Sequence, residues 1–135
     1  MSDSNVEIVR RMLDAYATGQ AELALGMLAA DVKWHGTVGG LEEERVYEGR
    51  EAVAAGLAES LGTWEDLTLE VEELIAVGDA VLVYWHEVAR FQDSDSVIEA
   101  RTAAVFALAD GSVVEARAYL DRAAAREAVG LDAAP

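Results

Sequence analysis

Two turn pairs, Gly78-Asp79 and Asp110-Gly111, interrupt an otherwise extended and largely apolar stretch between Leu67 and Leu120. Loops this short join neighbouring antiparallel strands, so the second half of the chain is constrained to a meander. Leu67, Leu69, Val71, Glu73 and Ile75 alternate with Thr68, Glu70, Glu72, Leu74 and Ala76, the period of a strand with one drier face. The next run, Ala80 to Phe91, sets Leu82, Tyr84, His86 and Val88 against Val81, Val83, Trp85 and Ala89. Neither set is uniformly polar, so both faces should be covered, one by the chain's own helices and the other by a second subunit. Runs Val97 to Ala109 and Val113 to Leu120 complete four strands, with a turn at Asp93-Ser94-Asp95-Ser96 between the second and third.

The first half has the helical period. Ser4 and Glu7 have capping-box spacing, and Ile8, Met12, Ala15 with Val9, Leu13, Tyr16 predict a helix ending near Gly19. Leu23, Met27 and Ala30 with Ala24 and Leu28 predict a second short helix. Val32-Lys33-Trp34-His35 reads as a short strand, and Gly36 to Glu44 as a glycine-rich, acidic loop over a cavity. Val53, Leu57 and Leu61 with Ala54 and Ala58 give a third helix with one apolar stripe. Arg122 to Ala128 is alanine-rich, follows Asp121 and ends before Gly130, which predicts a short C-terminal helix.

At 135 residues the chain is expected to be one domain, residues 1–135, burying roughly two-thirds of its unfolded surface. Without cysteine, it has no disulfide, thiolate metal site or cysteine nucleophile. The 26 acidic residues against 10 basic ones leave a net charge of -16. That field repels phosphate backbones and anionic lipid, so neither nucleic acid nor a membrane is an expected partner. The acidic, polar start at Ser2-Asp3-Ser4-Asn5 has no signal-peptide pattern, which makes a cytoplasmic protein the expectation.

Taken with the order helix, helix, short strand, helix and meander, three segments carry a family resemblance: Gly49-Arg50-Glu51-Ala52-Val53, Asp110-Gly111-Ser112-Val113-Val114 and Tyr119-Leu120-Asp121-Arg122. The chain resembles the SnoaL-like polyketide cyclase and ketosteroid isomerase superfamily, with its nuclear transport factor-like cone fold. The resemblance implies an α+β fold in which a curved antiparallel sheet is wrapped by three N-terminal helices and followed by a short C-terminal one. It also implies a homodimer whose cone holds a hydrophobic or aromatic small molecule. The family's catalytic positions are filled unusually. The isomerase base falls at Gly36, its oxyanion tyrosine at Met12 and its oxyanion aspartate near Ala103 or Ala104; the cyclase aspartate falls at Ala118 and its histidine at Ala104. None of these residues can perform the inherited role.

The same register expects a pocket lined by Met12, Tyr16, Trp34, Leu57, Leu82, Thr102, Ala104 and Ala118, with His86 as acid or base and Tyr84 as its donor partner. A packed histidine without chemistry is the competing reading of His86. His35 alternates away from the cavity but, because a strand end can twist, stands as the second candidate, and Asp121 reads as a helix cap more readily than as an acid. Arg101 with Glu99 reads as a surface ion pair. Val83, Trp85 and Arg117 are expected on the convex dimer face. Neither a cofactor motif nor a metal-ligand spacing is present. The reaction types implied are isomerase, cyclase or hydratase proton transfer; a non-catalytic ligand-binding or interaction module remains open beside them.

Overall fold

The computed structural model describes residues 2–40, 43–91, 93 and 95–131, and of these the side chains of all but 2, 3, 59–67 and 91. Leu41, Glu42 and Ser94 of the two expected loops, and the Leu61, Trp64 and Leu67 side chains, lie outside this set. The elements are α1 (Ser2–Ala17), α2 (Ala21–Leu25), β1 (Leu28–Val38), β2 (Val46–Glu48), α3 (Arg50–Thr63), β3 (Trp64–Val77), β4 (Ala80–Phe91), β5 (Val97–Ala109), β6 (Ser112–Tyr119) and α4 (Arg122–Ala128). The strands form one curved sheet in the order β2-β1-β6-β5-β4-β3. All neighbours are antiparallel except β1 and β6, which run parallel. The sheet stays open rather than closing into a barrel. No helix among the described residues is long and apolar enough to cross a membrane.

Both predicted hairpin turns form. Val77 pairs with Ala80 around Gly78-Asp79, and Ala109 with Ser112 around Asp110-Gly111. Asp110 and Gly111 both have positive φ, 51° and 79°, the double left-handed geometry whose twist matches that of antiparallel strands. The strand β3 departs from simple alternation. A register shift between Val71 and Glu73 inserts one extra residue, so Leu74 joins Leu69 and Val71 on the main core while Ile75 packs on the other side. A bulge of this kind reverses the parity on which a period-two reading depends.

The first half differs from expectation in three places. α1 begins at Ser2, ahead of the proposed capping box, and Glu7 pairs one turn on with Arg11 at 3.2 Å. α2 stops at Leu25 with Gly26 as its cap. Leu28, read as helical, instead opens β1 opposite Val113 and is 2 % exposed; sheet pairing overrides a five-residue helical pattern that is too short to stand alone. β1 is consequently 11 residues long, and Gly36, Thr37 and Val38 of the expected loop belong to it. β2, not foreseen, is held to it through Trp34 opposite Tyr47.

Two apolar clusters lie on opposite sides of the sheet. On the concave side α1 contributes Val9, Met12 and Leu13 and α3 contributes Val53 to a core with Val32, Val83, Trp85, Phe106 and Val113. On the convex side Ala125 of α4 packs with Leu82, Ala103 and Tyr119. The chain's own last helix thus covers part of the face expected to lie against a second subunit. Val83 and Trp85 belong to the concave core, which removes them from the expected dimer surface; Arg117 is on the convex side with His35, whose Nδ1 it contacts at 3.1 Å.

Candidate functional site

α1, α2, α3 and the concave face of the sheet enclose a cavity of about 400 Å³, within the range of pockets that take a drug-sized molecule. Met12, Leu13 and Tyr16 reach it from α1, Leu57 from α3, Trp34 and Thr37 from β1, and Leu69 from β3. The central strands supply Trp85, Glu87, Ala89, Ile98, Ala100, Phe106 and Ala118. Phe106 stands edge-on to both indoles, 5.9 Å from Trp34 and 6.3 Å from Trp85, the arrangement that aromatic quadrupoles favour. The Trp85 indole N–H donates to Thr102 Oγ1 at 2.6 Å, so this polar edge is satisfied inside the wall.

Of the expected pocket residues, Met12, Tyr16, Trp34, Leu57 and Ala118 stand on this wall. Ala104 lies opposite Ala118 in the ladder and is buried in the same core, and Thr102 is buried as the acceptor for Trp85. Leu82, Tyr84 and His86 are displaced to the convex face. Leu82 is buried with Tyr119 and Ala125. The Tyr84 hydroxyl accepts from Arg126 Nη1 at 3.0 Å, with the Arg122 guanidinium 4.7 Å from its ring centre. His86 Nε2 donates to Glu99 Oε1 at 2.6 Å.

The reason is visible in the ladder. His86 lies between Glu70 and Arg101, whereas Trp85 lies between Val71 and Thr102, and Glu87 between Leu69 and Ala100. Cross-strand rows sort by polarity, and the row containing Trp85 is the drier one. The pairing His86 to Glu99 and the pairing Arg101 to Glu72 at 3.4 Å replace the expected Arg101–Glu99 contact. His35 faces the convex side: Arg117 donates to its Nδ1 at 3.1 Å while its Nε2 donates to Glu115 at 2.7 Å. Asp121 caps α4, its Oδ1 accepting from Ala123 N at 3.0 Å.

Glu87 is the functional candidate that sequence reasoning missed. Its carboxyl shares the cavity wall with apolar groups, and burial pushes its pKa above the ordinary glutamate value because a low-dielectric surrounding disfavours the charged form. The Tyr16 hydroxyl is likewise raised, first by burial and then by the negative charge of Glu87. A signal existed: in Ala80 to Ala89 the adjacent His86 and Glu87 are the only charge-bearing residues, and adjacent strand residues face opposite ways. One of the two had to enter the cavity.

This carboxyl has a testable consequence for stability. Because its folded-state pKa is raised, the native state favours the protonated form, and the associated stability is present below the ordinary glutamate range and is lost as pH rises through the raised value. Glu87→Gln is therefore expected to be more stable than wild type at neutral pH, the difference closing as pH falls below about 4. Urea midpoints of both proteins across that range check it; a constant difference would show that Glu87 does not titrate abnormally.

A model of the family described as the SnoaL-like domain matches residues 9–116. No curated protein matches the sequence. Among solved structures, a protein named as a SnoaL-like polyketide cyclase from a Jannaschia species is 24% identical, with a TM-score of 0.76 over 99% of this chain and 94% of that one. An NTF2-like protein of unknown function from Burkholderia pseudomallei is 20% identical, with a TM-score of 0.78 over 94% and 98%. TerC, co-crystallized with polyporic acid, is 19% identical, with a TM-score of 0.77 over 93% and 98%. Identities this low establish a common fold. Since the matched segment, residues 9–116, takes in most of the chain, from the middle of α1 into β6, the protein belongs to the SnoaL-like domain family.

Proposed function

We propose that the protein binds a hydrophobic or aromatic small molecule in the concave cavity. The observation that carries this reading is the composition of the wall: Trp34, Trp85 and Phe106 with Leu57, Leu69 and Met12 around about 400 Å³. Such a surface gains by excluding water from an apolar ligand. The fold relative TerC, co-crystallized with polyporic acid, supports the same reading. A second reading, proton transfer of isomerase, cyclase or hydratase type, is favoured by Glu87, whose raised pKa brings a carboxyl closer to the range useful to a general acid or base. In that reading Glu87 takes the role the sequence assigned to His86, which has no access to the cavity wall.

Trp34 and Trp85 line the cavity, so binding has an intrinsic reporter. Naphthylmethanol is expected to quench tryptophan emission saturably. Ala118→Phe, which places a ring in the cavity, should weaken that binding by about tenfold or more, whereas His86→Gln should leave it unchanged. Saturable quenching that survives Ala118→Phe at full strength would locate the ligand elsewhere and overturn the reading.

A further inference from the structure

Three glutamates of the convex face find basic partners. Glu72 meets Arg101 and Arg122, Glu99 meets His86, and Glu115 meets His35. Glu87 is different: among the described residues no side chain hydrogen-bonds or ion-pairs with its carboxyl. Among the described residues, the wall around it contains no lysine, arginine or histidine. Glu87 is half-buried, and a carboxylate partly withdrawn from water and left unpaired favours a proton or a cationic ligand as its counter-charge.

We propose that the ligand of this cavity is an apolar or aromatic amine, whose ammonium group pairs with the Glu87 carboxylate while its hydrocarbon body lies among Trp34, Trp85 and Phe106. The inference rests on the cavity-binding reading above and narrows it to one class. The aromatic faces favour a cation as well as an apolar body, since their quadrupoles attract positive charge. The net charge of -16 draws cations toward the protein and repels anions. An anionic ligand would meet Glu87 without a counter-charge, and a neutral one would leave it protonated or unpaired.

Isothermal titration of naphthylmethylamine, naphthylmethanol and naphthoate near neutral pH separates these cases. The amine is expected to bind wild type roughly tenfold to a hundredfold more tightly than the alcohol, the gain of a charge-assisted hydrogen bond, with naphthoate the weakest. In Glu87→Gln the preference for the amine over the alcohol should disappear. A second readout needs no variant. Among the described residues Tyr16 and Glu87 are the titratable side chains on the wall, and Tyr16 titrates above its usual value of 10.0, so the amine affinity of wild type should rise with pH through the raised Glu87 range, with proton release on binding. Alcohol binding as tight as amine binding, or an amine affinity flat with pH, overturns the amine assignment and leaves the cavity reading standing. Failure of all three probes to bind overturns both.

Discussion

Phe106→Ala is expected to destabilise the protein by about 3–5 kcal/mol, the usual range for emptying a buried aromatic site. The ring is fully buried, lies opposite Ala116 on β6 and Val81 on β4, and separates the two indoles that it meets edge-on. Alanine at 116 cannot expand into the gap, and Trp34 and Trp85 would each lose their T-shaped partner. The void would also open into the existing cavity, so the ligand pocket should enlarge as the fold weakens. Thermal unfolding should report a fall of roughly 10–20 °C for a domain of this size. A loss below about 1 kcal/mol would mean that Phe106 is replaceable packing and not the centre of the concave core.

The physical reasons that made parts of this molecule readable also explain which parts were not. Turn chemistry is local: Asp110-Gly111 needs only its own two dihedral pairs to declare a hairpin, and Asp121 needs only the N–H of Ala123 to act as a cap. Both were legible. The α1 stripe Val9, Met12, Leu13 and Tyr16 was legible because a long helix with one apolar face has one sensible orientation. The orientation of β4 was not, because both of its faces are apolar and the choice is made by residues far away in sequence. Val71 and Thr102 flank Trp85, and Glu70 and Arg101 flank His86; those pairings fix which face is dry, and they exist only once three strands are assembled. The candidate site inherited that error. Helix positions Met12, Tyr16 and Leu57 stand where expected, while the candidate chemistry moved by one residue, from His86 to Glu87.

The same inversion gives the convex face a role that was not foreseen, and its keystone is Arg122. From the first turn of α4 its side chain returns across the sheet: Nε donates to Thr102 O and Nη2 to Trp85 O, each at 3.1 Å, and Nη2 also pairs with Glu72. The guanidinium lies 4.7 Å from the Tyr84 ring centre. One planar fork thereby ties α4 to β3, β4 and β5, directly behind the Trp85–Thr102 bond of the cavity wall. Arg122→Ala withdraws a charged donor from two main-chain carbonyls and is expected to cost about 2–4 kcal/mol. Arg122→Lys should recover less than half, because an ammonium cannot reproduce diverging guanidinium donors or the stacking. The pH dependence supplies an independent readout. Glu72 is held below the ordinary glutamate pKa, first by its hydrogen bond to Arg122 and also by Arg101. A lowered folded-state pKa means stability present above the ordinary range and lost as pH falls through the lowered value, the opposite sign to Glu87. Removing Arg122 should therefore flatten the acid limb of the stability profile while leaving in place the loss with rising pH that is attributable to Glu87. An Arg122→Ala protein that unfolds at the wild-type urea midpoint, with an unchanged acid limb, would show that α4 is held by its other contacts, those of Ala125 and of Arg126 with Tyr84.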